Sequence, residues 1–330
     1  MKARLLQVLE TLFVWTVGPV ILFFSPRARR FRRVTLATAA LGATAWWTGF
    51  ALWFLGTLVG MIPETSLGGD LTTLERGAAV RALHEFVQPG SATDLHSLRM
   101  EERALRFASA EGAHVGAVRT AALLHDALKD NLPKVSPKDR YCMHGETGAL
   151  NSIRAIKHRL SDRSVAFSVV VADAIFRHMG PCGFNMDWRD RRHVSKTCDR
   201  DYPTPVSRVS QVVYDLDMLD QMTVEGVLRL VEQRQATSDE ATGKESLKDM
   251  VKTGKDSAWK QVVDAGQTLR TRTGQRCGKE LQSDTVGFIK SLDFGRVKSL
   301  EDLRGAAAAW RVGHPEPTCW AAQDRGSGTG

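Results

Sequence analysis

Histidine is scarce in this 330-residue chain, with nine in total, and a few of them stand where chemistry could arise. His125 and Asp126 directly follow the apolar stretch "TAALL", so an imidazole and a carboxylate interrupt an apolar helical pattern. His96, His144 and His178 stand at the predicted ends of other helices. Imidazoles and carboxylates suit divalent Mn, Fe, Zn, Ni, Co or Mg ions. The His-Asp dipeptide alone is equally compatible with a polar pair that faces water. Other potential metal ligands in the sequence are therefore needed to distinguish a metal site from a solvent-exposed pair.

Two further carboxylates lie inside the apolar stretch "VVYDLDMLD", at Asp215 and Asp217. Arg99 follows His96 by three residues, which places both side chains on one face of a helix. If the helices that carry these residues converge, imidazoles and carboxylates would meet in a helical core.

The secondary-structure elements that must position these histidines and carboxylates are helices. From about residue 72 to 230, apolar residues recur at spacings of three and four, which predicts successive amphipathic helices. His125 and Asp126 end one such helix, His144 begins the next at "HGETGAL", and His178 ends another at "IFRHMG". No alternating strand pattern and no glycine-rich dinucleotide fingerprint is present. The sequence therefore predicts an all-α domain.

The first 62 residues predict a membrane anchor. Residues 34–62 carry no charge over 29 positions, and about 20 apolar residues suffice to span a bilayer. Residues 11–24 form a shorter apolar stretch that Gly18 and Pro19 interrupt. We expect one or two transmembrane helices within residues 5–62, with a helical hairpin as the favoured arrangement.

Charge and cysteine content exclude some classes of protein. The net charge is +8, but the soluble part has no basic run with interleaved aromatics, so no nucleic-acid polymer is expected as a partner. The five cysteines include no CxxC pair, which excludes a zinc ribbon. Scattered in this way, they suit reduced thiols. Disulfides remain open if the domain lies outside the cytoplasm, with Cys182–Cys198 the pair then expected.

The order of these motifs over about residues 75–230 resembles the HD-domain superfamily of metal-dependent phosphohydrolases. The segments that carry the resemblance are "DLHSLRM", "AALLHDALK", "HGETGA", "IFRHMGPCG" and "DLDMLD". The resemblance implies an HD-domain helical bundle. It departs from the family at Met218, where a basic residue is usual, and at Met179, where the HD-GYP subtype has a second histidine.

The resemblance also implies a ligand set. A first metal would be bound by His96, His125, Asp126 and Asp217. The additional His144 and His178 imply a second metal, with Asp126 bridging the two, so one or two divalent ions per chain are expected.

Three further roles follow from the same resemblance. Lys129 matches the lysine of HD-x-x-K variants and would contact a substrate phosphate, although a solvated lysine is the alternative. Arg99 would contact substrate or buttress a carboxylate. Asp126, Lys129 and Asp130 would form the catalytic group, with Asp130 orienting a water or capping a helix.

The predicted function is a metal-dependent phosphohydrolase or phosphodiesterase that uses a metal-activated hydroxide. Its substrate would be a phosphorylated small molecule, with a nucleotide or cyclic nucleotide expected. The alternative is a membrane-tethered sensor or scaffold whose HD core is catalytically silent and keeps a structural metal. The two differ in whether the metal-loaded protein turns over a phosphate ester.

The predicted location is a membrane such as the bacterial inner membrane, with the side that the domain faces left open. The five arginines of "RARRFRR", residues 27–33, should stay cytoplasmic, which would place the domain on the far side. A nucleotide-type hydrolase instead favours the cytoplasm. The predicted organisation is an anchor at 1–62, a linker at 63–74, the HD core at 75–230, a helical extension at 231–310 and a disordered tail at 311–330.

Overall fold

The computed structural model describes residues 54–129, 137–178, 205–240, 246–252, 269–317 and 319. These residues contain helices and no strand, which confirms the all-α prediction for this part of the chain. Besides a short 3-10 helix at Glu64–Ser66 and helical residues at 54–60 and 247–252, there are nine α-helices. They are α1 (Thr73–His84), α2 (Ala92–Glu111), α3 (Val115–Leu124), α4 (Pro137–Arg159), α5 (Val165–Arg177), α6 (Arg208–Asp220), α7 (Val224–Glu240), α8 (Arg272–Ser291) and α9 (Leu300–Gly313).

The central helix of the domain is α3, which is apolar around almost its whole circumference. Every residue from 116 to 124 except Arg119 is buried. A helix that is hydrophobic on all sides has to be surrounded, and α3 packs against α1, α2, α4, α5 and α6. Its C-terminal end at Leu124 therefore opens into the interior. This explains why His125 and Asp126, which follow it, are buried instead of facing water.

Local sequence signals set the bounds of the helices around α3. The side chain of Ser91 accepts a hydrogen bond from the Asp94 amide and caps the N-terminus of α2. Gly112 ends the same helix in the left-handed conformation, with φ 62°, where glycine avoids the Cβ clash. Ser164 and Ser207 cap α5 and α6 in the same way as Ser91 caps α2. Each such cap contributes about 1 kcal/mol.

One predicted helix start is wrong. His144 does not begin a helix, because α4 starts two turns earlier at Pro137. Proline suits the first turn of a helix, where its missing N–H has no partner to lose. His144 thus projects from the interior of a helix, not from its first turn.

The segment from Pro205 to residue 240 forms two helices, because α6 ends at Asp220 and α7 begins at Val224 and continues to Glu240. The helices α7, α8 and α9 enclose a second hydrophobic core built on Val227, Val231 and Phe288. Met250 and Val251 are also buried in this second core.

The C-terminal segment is also more ordered than predicted. Residues 311–313 belong to α9, and Cys319 is buried and forms a disulfide with Cys277, their Cα atoms 5.1 Å apart. The expectations of a disordered tail from 311 and of reduced thiols are therefore wrong for these residues. The Cys182–Cys198 pair lies outside the described residues. The Cys277–Cys319 pairing was missed because the positions of cysteines in a sequence do not determine which of them pair.

The chain divides into two compact units, Met1–Leu55 and Gly56–Gly330. Within the described part of the chain, no helix is both long enough and apolar enough to cross a membrane. The predicted anchor lies outside the described residues except for 54–62. The domain boundaries drawn from the sequence stay predictions.

Candidate metal centre

The first histidine of the site comes from α2. His96 is fully buried, and its Nδ1 lies 2.6 Å from Oδ2 of Asp220 on α6. A carboxylate oxygen only accepts, so the Nδ1–H donates, and a neutral His96 keeps an Nε2 lone pair for a ligand bond. Asp220 therefore orients His96 and sets its tautomer.

The end of α3 supplies the second histidine and the first carboxylate. The Nδ1–H of His125 donates to the carbonyl of Ala122 at 2.9 Å, so its Nε2 also points away from the backbone as an acceptor. Asp126 follows, 2% exposed, and accepts a hydrogen bond from Lys129 Nζ at 2.9 Å on Oδ2.

The helices α4 and α5 supply the remaining two histidines. His178 caps the C-terminus of α5, and its Nδ1–H donates to the Ile175 carbonyl. His144 reaches it from α4, with the two Nε2 atoms 3.0 Å apart. Gly148, one turn after His144, makes this approach possible, since a Cβ there would lie 3.0 Å from the His125 carbonyl oxygen.

The second carboxylate comes from α6, where three acidic residues have different roles. Asp217 faces the histidines, with Oδ1 3.2 Å from His96 Nε2 and 3.9 Å from His125 Nε2. Asp220 holds His96 as described. Asp215 instead accepts hydrogen bonds from the amides of Arg270 and Thr271, at 2.8 Å each, and anchors the start of α8. Asp215 is thus a buried carboxylate that anchors α8, and it does not belong to the ligand set implied by the resemblance.

The two oxygens of Asp126 face two different pairs of histidines. Oδ2 lies 3.7 Å from His125 Nε2 and 3.9 Å from His96 Nε2. Oδ1 lies 3.2 Å from His144 Nε2 and 3.7 Å from His178 Nε2. This carboxylate is therefore the link between the two halves of the cluster.

All six residues of the predicted ligand set are brought together and buried. They form three overlapping groups of donors, each within 4.8 Å, that could hold a metal ion. The groups are His96–His125–Asp126, His125–His178–Asp217 and Asp126–His144–His178. The first group contains three of the four ligands expected for the first metal, without Asp217, and the third contains those expected for the second. The second group joins residues of both sets, so the donors form one continuous cluster.

The protonation states of His125 and Asp126 suit a metal site. Burial lowers the pKa of His125 to about 3, so this ring is neutral at physiological pH. Burial raises the pKa of Asp126, but Lys129 and the neighbouring imidazoles outweigh that effect and hold it well below its usual range. Neutral imidazoles and ionised carboxylates are the forms that bind divalent ions.

The packing of the rings also fits a cation. Nε2 of His96 and Nε2 of His125 lie 3.1 Å apart, and both Nδ1 atoms are already used as donors. Two acceptor nitrogens at this distance repel unless a proton or a cation lies between them. The donor set and its charge could therefore hold a divalent metal ion.

The other predicted residues have defined positions where they are described. Arg99 donates from Nε and Nη2 to the two oxygens of Asp220, at 3.1 and 2.9 Å, so in the structure it buttresses a carboxylate. Lys129 lies beside Asp126. Asp130 lies outside the described residues. Roles in substrate contact and catalysis for these three residues stay predictions.

Three residues near the site were missed by sequence reasoning. Asp220 is the last carboxylate of "DLDMLD", and its place in that motif was the available signal. Arg103, 7% exposed, contacts both Asp220 and Glu316, which only the fold reveals. Arg229 on α7 is 5% exposed, and its Nη1 lies 3.9 Å from Asp126 Oδ2.

Residues 93–222 match the family model of the HD domain. The match contains the whole His/Asp cluster and supports the HD superfamily for this segment. HD domains generally mark metal-dependent hydrolases and bind divalent metals, in agreement with donor groups here that could hold one. No curated protein and no solved structure matches the chain.

Proposed function

We propose that this protein is a metal-dependent phosphohydrolase that hydrolyses a phosphate ester, with a nucleotide or cyclic nucleotide as the expected substrate class. The observation that carries the proposal is the position of Asp126, whose two oxygens face two separate histidine pairs. A carboxylate between two groups of imidazoles could serve as a ligand to two divalent ions, and two such ions can act together on a phosphoryl group.

The residues of the HD segment have separate roles in this proposal. His96, His125 and Asp217 would hold one ion, His144 and His178 would hold the other, and Asp126 would contact both. Bound divalent ions would polarise the phosphoryl group and make a coordinated water more acidic.

The chain itself supplies orientation and charge around that chemistry. Asp220 holds His96 in the tautomer that leaves Nε2 free to bind. Lys129 is assigned to a phosphate oxygen of the substrate, because its ammonium already lies at the mouth of the cluster on Asp126. Asp130 remains assigned to orienting a water or capping a helix.

The test is metal analysis of the full-length protein coupled to hydrolysis of a panel of phosphate esters. We expect bound transition metal and turnover of at least one ester, and we expect His125→Ala to abolish both. His158→Ala, which removes an exposed histidine from α4, is the matched control and should retain both. Metal binding without turnover on any ester would contradict the enzyme and favour the sensor or scaffold.

The location of the domain is a further part of the proposal. Residues 5–62 are proposed to anchor the chain in a membrane, and the five arginines at 27–33 to keep the intervening loop in the cytoplasm. The Cys277–Cys319 disulfide supports a non-reducing compartment for the domain. A C-terminal fusion to a reporter that is active only in the cytoplasm should therefore be silent, and an active reporter would contradict this orientation.

A further inference from the structure

Arg229 lies beside the metal centre but outside the segment that the HD family model matches. It belongs to α7, after the matched residues 93–222. Its side chain is 4% exposed, and its Nη1 lies 3.9 Å from Oδ2 of Asp126. The second core therefore contributes a positive charge to a site otherwise built from the first.

The guanidinium of Arg229 lacks the partners that a buried cation requires. Its Nε and Nη1 are both buried and make no hydrogen bond with any described residue. The 3.9 Å contact to Asp126 is too long for a hydrogen bond. A buried charge whose donors are unsatisfied is strongly unfavourable, so its retention points to a ligand that binds there.

Other buried arginines in the same domain show the difference. Arg177 is 2% exposed and donates from Nε to Asp173 at 2.6 Å. Arg103 is 7% exposed and contacts the carboxylates of Asp220 and Glu316. Both have carboxylate partners within hydrogen-bond distance, whereas Nε and Nη1 of Arg229 have none among the described residues.

We propose that Arg229 binds the phosphoryl group of the substrate, and that this substrate is a phosphomonoester. The inference rests on the proposed function and narrows its substrate class from phosphate esters in general to phosphomonoesters. A guanidinium presents its donors in a planar fork that matches two phosphate oxygens.

The choice of a monoester follows from the number of oxygens that need partners. A diester phosphate has two non-bridging oxygens and one negative charge, and divalent ions at the His/Asp cluster would engage both oxygens. A monoester has three non-bridging oxygens and up to two charges. Lys129 and Arg229 both flank Oδ2 of Asp126, so they supply two more cations on one side of the centre for that additional oxygen and charge.

The experiment measures binding of inorganic phosphate to the metal-loaded, full-length protein by calorimetry, together with hydrolysis of p-nitrophenyl phosphate and bis-p-nitrophenyl phosphate. The variants are Arg229→Met, Arg229→Lys and, as the matched control, Arg304→Met. Arg304 pairs with Glu232 at the surface, and both side chains are almost half exposed. Metal content and the melting temperature are recorded for every variant, so that loss of the metal or of the fold is recognised.

We expect wild type to hydrolyse the monoester in preference to the diester. Arg229→Met should weaken phosphate binding about 10- to 100-fold, as expected for loss of a hydrogen bond to a charged group. It should raise the KM for the monoester by a similar factor with metal content unchanged, Arg229→Lys should recover part of the loss, and Arg304→Met should behave as wild type.

Two results would overturn the inference: unchanged phosphate affinity in Arg229→Met, or preferential hydrolysis of the diester by wild type. A loss of bound metal in Arg229→Met would also overturn it, since Arg229 would then act only on Asp126. Failure of the proposed function is a separate outcome, in which wild type binds metal and phosphate but hydrolyses neither ester.

Discussion

The two halves of the His/Asp cluster are held in different ways. His96 is oriented by the carboxylate of Asp220, which is itself bound by Arg99 and Arg103. Among the described residues, the Nδ1 of His178 instead contacts a backbone carbonyl of its own helix, that of Ile175. A carboxylate behind a metal-binding histidine fixes its orientation and raises its basicity, typically changing metal affinity by 10- to 100-fold.

This difference predicts that the two proposed ions bind with different affinities. The half with His96 and Asp217 is tied through a charged network to α6 and to the C-terminal segment at Glu316. The half with His144 and His178 depends on how closely α4 and α5 pack. We therefore expect a tighter ion at the first half and a weaker ion at the second, with Asp126 shared.

The largest effect on this asymmetry is expected from Asp220→Ala. It removes the partner of His96 and leaves Arg103 buried with one carboxylate fewer, so the free energy of unfolding should fall by about 3–5 kcal/mol. Chemical denaturation and metal titration measure the two effects, and the tighter ion should lose about 10- to 100-fold in affinity. Asp293→Ala, which alters an exposed carboxylate, is the control. An equal loss at both ions would contradict the asymmetry.

The second-largest loss of stability is expected from Cys277→Ser. This substitution releases Cys319 and with it the segment that carries Glu316, which contacts Arg103 in the first half. A disulfide of this kind typically contributes about 2–4 kcal/mol, so the free energy of unfolding of oxidised protein should fall by that amount. Denaturation of wild type with reductant should reproduce the loss. If reductant leaves wild type unchanged, the disulfide does not contribute to stability.

The second half of the cluster can be disturbed more strongly than the first through Gly148→Ala. The added Cβ would lie 3.0 Å from the His125 carbonyl oxygen and 3.1 Å from a methyl of Ile175, which should destabilise the fold by about 1–3 kcal/mol. Because α4 carries His144, and the added Cβ also meets the backbone of His125, metal titration should show a larger loss of affinity at the weaker ion than at the tighter ion. Gly305→Ala in α9 is the control, because a Cβ there meets nothing within 4 Å. A loss at the tighter ion as large as that at the weaker ion would contradict this prediction.

Sequence reasoning assembled the cluster because each member stands in a recognisable local context. His96, His125, Asp126, His178 and Asp217 were found from their neighbours in the chain, and the fold brings them together. The start of α4 was missed because the residues after Pro137 are polar, and a polar composition is also typical of a loop. Arg229 was missed because it lies between two leucines in "VLRLV", where an apolar pattern does not reveal which way an arginine points.

A further prediction concerns the pH dependence of stability in the metal-free protein. Burial lowers the pKa of His125 from 6.5 to about 3, so the folded state favours the neutral ring. The contribution is fully present above pH 6.5 and is lost as the pH falls towards 3, by about 1.4 kcal/mol per pH unit. In denaturation curves recorded between pH 7 and pH 4, His125→Gln should show a shallower fall than wild type.

The control for the pH experiment is His158→Gln, since that side chain is exposed. Its stability should fall with pH as steeply as that of wild type. A slope in His125→Gln equal to that of wild type would mean that His125 is not the group that titrates.

The most direct test of a shared carboxylate between two unequal metal positions is calorimetric titration of the metal-free protein with Mn²⁺ or Zn²⁺. Elemental analysis of the loaded protein gives the stoichiometry. We predict two unequal binding steps in wild type, loss of both in Asp126→Ala, and loss of only the weaker step in His144→Ala and in His178→Ala. A single equivalent in wild type, or a tight step that survives in Asp126→Ala, would contradict the account.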